Sequence, residues 1–167
     1  MPDAIQIRPP SAQDRPWVVQ FIAEHWGSET VVVHDAVYRP AELSGWVAWS
    51  ANARVGLLTY HLDEAGCEIV TLNSLRSGQG VGTALVAAAR QTALEAGCRR
   101  LWVVTTNDNL RALRFYQKRG FRLVAVCPGA VERSRRIKPE IPLVGADGIP
   151  LCDEIELEMR LEQYASR

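Results

Sequence analysis

Hydrophobic and polar positions change period several times along the chain, and each change marks an element. AIQIRP near the start alternates and reads as a first strand. DRPWVVQFIAEHWG places Val18, Phe21, Ile22 and His25 at helical spacing, with Ser11 or Asp14 positioned as a cap and Gly27 as a stop. TVVVHDAVYRPAEL begins β-branched, as a strand would, and is broken at Pro40. GWVAWSA, RVGLLTYHL and CEIVTLNSL are three strand-like runs separated by the turn signals NA and DEAG, the pattern of an antiparallel meander. An Ala-rich helix is predicted from Gly80 to about Ala96, closed by Gly97, with Val81, Leu85, Ala88, Thr92 and Ala96 as its core stripe. RRLWVVTT is short and nearly all apolar, as a buried central strand is. NDNLRALRFYQKRG reads as a second capped helix, opened by Asp108 or Asn109, basic in its last turn and closed by Gly120. FRLVAVC is a further strand, and the strictly alternating DEIELEMRL ends the sheet. Between them residues 129–150, rich in Pro, Gly and charge, read as an extended loop. Without repeats, low-complexity tracts or a linker, the chain reads as one α+β domain over residues 1–167 with a mixed sheet.

Composition removes several function classes. Nineteen Lys plus Arg balance nineteen Asp plus Glu, so overall charge gives no reason to expect a nucleic-acid or membrane partner. The opening MPDAIQIRPP has neither a basic n-region nor a long apolar run, so it does not read as a signal peptide, and a cytoplasmic protein is expected. Cys67, Cys98, Cys127 and Cys152 form no CxxC pair and no zinc pattern, and the three histidines are scattered. No metal site is expected, and the cysteines read as reduced and mostly buried.

The chemistry begins at SLRSGQGVGTALVAAARQ, residues 74–91. Gly78, Gly80 and Gly82 alternate with other residues at the start of the Ala-rich helix. Glycine there gives up packing and rigidity, which makes sense if something approaches the backbone closely. An anion held by the free N–H groups of the helix N-terminus fits. The run lacks the Gly-Lys-Ser/Thr ending of a P-loop. Its GxGxG spacing after a meander is not the GxGxxG of a dinucleotide fold.

SGQGVG (Ser77, Gly78, Gln79, Gly80, Val81, Gly82) resembles the Arg/Gln-x-x-Gly-x-Gly/Ala motif of the GNAT superfamily of acetyl-CoA-dependent N-acetyltransferases, with Ser77 where Arg or Gln is usual. NLRALRFYQKRGF resembles that family's later helix motif, with Asn109, Ala112, Phe115, Tyr116, Gly120 and Phe121 in place. The resemblance spans residues 4–162. It implies a mixed, mostly antiparallel sheet splayed between its fourth and fifth strands and flanked by helices. It also implies acetyl-CoA as co-substrate, an amine acceptor, no metal, and a monomer or homodimer. The pyrophosphate would lie on the N–H groups of Gln79 to Thr83. The pantetheine arm would run along Leu72, Asn73, Ser74 and Leu75, with one N–H between Asn73 and Leu75 polarising the thioester carbonyl. Asn109 would hydrogen-bond the cofactor, although Asn109 also suits a helix cap. Tyr116 would be the general acid, although Ala112, Phe115 and Tyr116 also share a packing face. Glu68, in CEIVTL, stands where protein-lysine members carry a glutamate base; the other reading is an exposed strand glutamate. Trp26, Trp46 and Trp49 are mostly core, with an acceptor pocket as their alternative use. Arg135 and Arg136, in the 129–150 loop, are expected to recognise an acidic or carboxylate-bearing acceptor. The competing function class is a non-catalytic acyl-CoA-binding sensor or interaction module on the same fold.

Overall fold

The computed structural model describes residues 3–162, so the extreme ends of the single domain expected over 1–167 lie outside the described residues. The strands are β1 (Gln6–Arg8), β2 (Val31–Val33), β3 (Ala36–Tyr38), β4 (Ser44–Ser50), β5 (Ala53–Asp63), β6 (Gly66–Ser74), β7 (Arg100–Thr106), β8 (Arg122–Cys127) and β9 (Glu154–Arg160). The helices are α1 (Arg15–Trp26), α2 (Val81–Glu95), α3 (Leu110–Gln117) and α4 (Ala130–Ile137). Seven strands form one sheet in the order β1-β4-β5-β6-β7-β9-β8, and β2 pairs with β3 in a separate hairpin. Every neighbour in the main sheet is antiparallel except β6 and β7. The fourth and fifth strands expected from the sequence are therefore β6 and β7.

That parallel pair positions the site. β6 and β7 are in register only at Cys67–Leu101, Glu68–Trp102 and Ile69–Val103, and beyond those rungs they part. A bulge helps. Thr59 opposes Thr71 but Tyr60 opposes Ile69, which leaves Val70 as the extra residue of β6. Past the bulge, Leu75 N–H donates to Val55 O at 2.8 Å. Antiparallel ladders alternate, so Asn73 also faces β5, and the backbone groups of Leu72 and Ser74 face the opening.

The two sheet faces carry different cores. On one, Val81, Leu85, Val86, Ala89 and Ala93 of α2 pack over Leu58, Ile69, Leu101 and Leu157, joined by Tyr116 of α3. On the other, Val18, Phe21 and Ile22 of α1 cover Val47 and Leu57. Beside them Val31 and Val33 of the β2–β3 hairpin meet Val70 and Val104.

Several expectations change here. The α2 stripe runs through Val86, Ala89 and Ala93 rather than Ala88, Thr92 and Ala96. Both rows satisfy i, i+4 spacing, and an Ala-rich helix does not distinguish them. Thr92 lies at the edge and accepts from Trp46 Nε1 at 3.1 Å. β9 is interior and β8 is the edge, exposed along most of its length. Of the cysteines only Cys67 is buried; Cys98, Cys127 and Cys152 are half-buried. The largest change is in residues 129–150. They hold α4, opened by Gly129 at φ 71° and pinned by Val131 N–H to Cys152 O at 3.0 Å.

Candidate active site

Two adjoining cavities follow from the parting of β6 and β7. A slot of about 270 Å³ lies in the opening, lined by Ile69, Leu72, Asn73, Val103, Ala112 and Tyr116 among others. A chamber of about 410 Å³ lies beyond it, walled by α1, the hairpin, α4 and the start of β9. His25, Trp26, Val70, Val104, Thr105 and Asn109 line both.

The glycine loop opens onto the start of α2. Gly78 and Gly80 sit at φ 73° and 79°, in the left-handed region, and an added Cβ at either would meet open space. Conformation, not crowding, calls for glycine at these two positions. Gly82 differs: a Cβ there would stand 3.0 Å from two ring carbons of Phe115, so it is needed for α2 to lie against α3. Ala84 N–H is bonded to Gly80 O at 3.0 Å. The N–H groups of Val81, Gly82 and Thr83 precede it and have no acceptor within the helix. Arg119 reinforces their positive field. Its guanidinium reaches Thr83 Oγ1 at 2.9 and 2.7 Å and lies 3.6 Å from the Phe115 ring centroid. Arg119 was legible in the sequence only as one more basic residue at a helix end. Ser77 and Gln79 are exposed on the loop. Arg76, next to Ser77, donates to Ser50 Oγ at 2.9 Å.

Tyr116 is 5% exposed and lines the slot. Burial alone raises its pKa well above the ordinary tyrosine value, so the hydroxyl stays protonated at neutral pH. Asn109 caps α3, accepting from Ala112 N–H at 3.1 Å, and borders both cavities as well. Leu72 and Asn73 line the slot, and Asn73 Oδ1 accepts from Trp26 Nε1 at 2.8 Å. Leu75 N–H is bonded to Val55 O and is not free to polarise a thioester, whereas the backbone groups of Leu72 and Ser74 face the opening. Of the tryptophans weighed for an acceptor pocket, only Trp26 lines the cavities.

Two sets of expected site residues lie away from the cavities. Glu68 is 2% exposed and lines neither cavity. Its carboxylate accepts from Tyr38 O–H at 2.7 Å and meets His34 Nε2 at 2.6 Å, so it anchors the hairpin instead of facing an acceptor. That hydrogen bond raises the His34 pKa above the usual imidazole value. Burial first, and then Glu68, raises the Tyr38 hydroxyl. The expected acceptor-binding pair also lies off the chamber. Arg135 donates to the carbonyls of Ile141, Pro142 and Leu151 at 2.8–3.0 Å, tying the segment after α4 together. Arg136 is exposed, and neither lines the cavity.

Three ionisable residues to which the sequence reading gave no role do line the chamber: His25, Lys138 and Glu154. His25, on the last turn of α1, stacks on Phe21 at 4.1 Å between centroids, and its Nδ1 lies 2.8 Å from Phe21 O. A carbonyl only accepts, so Nδ1 carries the proton and the neutral ring keeps its lone pair on Nε2. Lys138, 7% exposed, donates to Trp26 O and Thr30 O at 2.7 Å each, and burial lowers its pKa. Glu154, 3% exposed, accepts from His34 N–H at 3.0 Å, and burial raises its pKa.

Comparison with known proteins fits this geometry. The family model described as acetyltransferase (GNAT) family matches residues 9–121. An uncharacterized protein, YdhI, of Bacillus subtilis (strain 168) is 42% identical over 139 residues, which is 83% of this chain and 87% of that one. Among solved structures, an IAA acetyltransferase from Bacillus cereus ATCC 14579 superposes with a TM-score of 0.69 at 21% identity, covering 95% of this chain and 100% of that one. A GNAT family acetyltransferase from Elizabethkingia anophelis, solved with acetyl-CoA bound, gives 0.67 at 20% identity, covering 95% and 99%.

Proposed function

This chain belongs to the acetyltransferase (GNAT) family, and from that premise we propose that it is an N-acetyltransferase, moving the acetyl group of acetyl-CoA to a primary amine by direct attack within a ternary complex. The observation that carries the reading is Tyr116 lining a slot in the gap between β6 and β7 that shares His25, Trp26 and Asn109 with the chamber. The loop and first turn of α2, Gln79 to Thr83, hold the pyrophosphate through backbone N–H groups and the helix dipole, with Arg119 adding charge. Ser77 and Gly78 shape the loop ahead of them. The free edge of β6, at Leu72 to Ser74, takes the pantetheine arm as an extra strand would be taken. Asn109 stands at the junction, where the thioester would lie.

Three tasks remain at the reacting atoms: deprotonating the amine, stabilising the tetrahedral oxyanion and protonating the leaving sulfur. His25 Nε2 accepts the proton of the ammonium or attacking amine, since its lone pair is fixed by the Nδ1–H bond to Phe21 O. The outward N–H of Leu72 or Ser74 meets the oxyanion. The C–N bond forms first, giving the tetrahedral adduct; its collapse restores the carbonyl and breaks the C–S bond as Tyr116 supplies its proton to the departing thiolate and is then reprotonated from solvent. Glu68 has no part in this sequence beyond holding the hairpin wall of the chamber.

The test is thiol release from acetyl-CoA across a panel of primary amines and lysine peptides, with mass spectrometry of the products. Stoichiometric N-acetylated product and coenzyme A are expected from at least one acceptor class. Tight acetyl-CoA binding with no release from any amine would instead identify the non-catalytic module.

A further inference from the structure

We propose that Ser134 on the inner face of α4 and Lys138 just past its C-terminal end form a carboxylate-binding subsite in the chamber, and that the acceptor is a small amine bearing a carboxylate. The inference rests on the acetyl-transfer reading above and names the acceptor class for that site.

Chamber walls are chiefly apolar: Val31, Val33, Val70, Val104, Ile141 and Leu151. A positive charge in such surroundings is costly unless it is paired. Lys138 Nζ has two backbone carbonyls as acceptors, from Trp26 and Thr30, but an ammonium has three donors. No carboxylate lies within ion-pair distance of it among the described residues. The carbonyls orient the ammonium but do not neutralise it. Glu140, two residues on, lines the chamber and is exposed; its charge bears on Lys138 but makes no ion pair with it.

A second observation is independent of the first. Ser134 is 2% exposed, lines the same chamber, and its hydroxyl has no hydrogen-bond partner. Buried hydroxyls are almost always satisfied, so an orphan of this kind marks a missing acceptor. Ser134 lies in the last turn of α4 and Lys138 caps its end, with Lys138 N–H bonded to Ser134 O at 2.8 Å, and both line the chamber. A lone ammonium and a neutral hydroxyl together suit one unit of negative charge spread over two oxygens. A phosphate dianion would be left half neutralised. The reverse charge lies elsewhere: Glu154, buried at the start of β9, borders the chamber and does not pair with Lys138. Such a chamber is complementary to a molecule that is anionic at one end and amino at the other. The carboxylate-bearing acceptor expected from Arg135 and Arg136 thus finds its cation at Lys138, the next basic residue along.

The experiment compares matched acceptors at saturating acetyl-CoA: L-phenylalanine against 2-phenylethylamine, L-leucine against 3-methylbutylamine, and 4-aminobutyrate against n-propylamine and 3-aminopropylphosphonate. Wild-type enzyme is expected to favour the carboxylate member of at least one pair by tenfold or more in kcat/KM. Lys138→Met should shrink that ratio roughly 10- to 150-fold, the range of a hydrogen bond to a charged group, and Ser134→Ala about 2- to 10-fold. Because the ratio is internal to each variant, partial unfolding cancels from it. If Lys138→Met does not fold, the wild-type ratio and Ser134→Ala decide. Acetylation of amines with no carboxylate preference would overturn this subsite and leave acetyl transfer standing. Greater kcat/KM for the phosphonate than for 4-aminobutyrate would overturn the carboxylate assignment. Thiol release from none of these or of the wider amine panel would overturn the acetyl-transfer reading and this proposal together.

Discussion

Replacing Glu68 with Gln separates an anchor from a catalytic base. Gln keeps the shape of the side chain but removes the charge that His34 and Tyr38 share. Hydrogen bonds to a charged group contribute about 1.5–3 kcal/mol, and Gln can still make one neutral bond, so a net loss of about 2 kcal/mol is expected. For a domain of this size that is roughly 4–8 °C in Tm. The pH dependence has a defined sign. Glu68 raises the folded-state pKa of His34 above its ordinary 6.5. The stability this adds is fully present below pH 6.5 and is lost as pH rises through the folded-state value. Urea melts of wild type and Glu68→Gln at pH 6 and pH 9 should therefore show a larger gap at pH 6. What remains at pH 9 belongs to the Tyr38 bond and to the neutral His34 ring, whose Nε2–H can still donate to Glu68. Turnover, measured below the melting range, should change no more than a few-fold. A fall of a hundredfold or more in kcat with unchanged stability at both pH values would refute the anchor and restore Glu68 as the base.

Two further substitutions probe the cofactor cradle and the proton acceptor. Gly80→Ala has open space but is strained by roughly 1–2 kcal/mol at φ 79°, and it should bind coenzyme A nearly as well as wild type. Gly80→Asp puts a carboxylate at the pyrophosphate, where repulsion of about 4 kcal/mol at 4 Å should weaken binding a hundredfold or more by calorimetry. Equal affinities would remove the cradle. His25→Gln should lower kcat/KM roughly 100-fold near neutrality with coenzyme A affinity unchanged. Wild-type kcat/KM in that variant would point to another base.

How far the sequence reaches depends on what each element buries. β4 to β7, α2 and α3 were readable because each carries an apolar run or stripe bounded by Gly or Asn. Gly78, Gly80 and Gly82 pointed to the proposed cradle, and at Gly82 the missing side chain also makes room for Phe115. α4 was not readable. Its inner face is only Ala130, Val131 and Ser134, followed by Lys138 at its end, and it borders a chamber and not a core. A hydrophobic pattern cannot reveal a helix with so short a buried face. The β2–β3 hairpin was hidden for a different reason: its turn uses His34 and Asp35 at φ 41° and 63°, without the glycine that usually signals such a turn. That hidden turn also explains the misplacement of Glu68, whose partners His34 and Tyr38 lie on an arm that one run of residues does not show. His25 was counted into a helical stripe, and only the fold shows that stripe ending at the junction of two cavities.

Tyr116→Phe tests the central claim most directly. Phe fills the same packed space between Phe115 and Phe121 and removes only the hydroxyl. With any acceptor found in the amine panel, steady-state kinetics should show kcat lowered roughly 10- to 1,000-fold, within the range of acid catalysis, with acetyl-CoA affinity by calorimetry nearly unchanged. Wild-type kcat in that variant would contradict the account, leaving Tyr116 as a core aromatic and the slot without its proton donor.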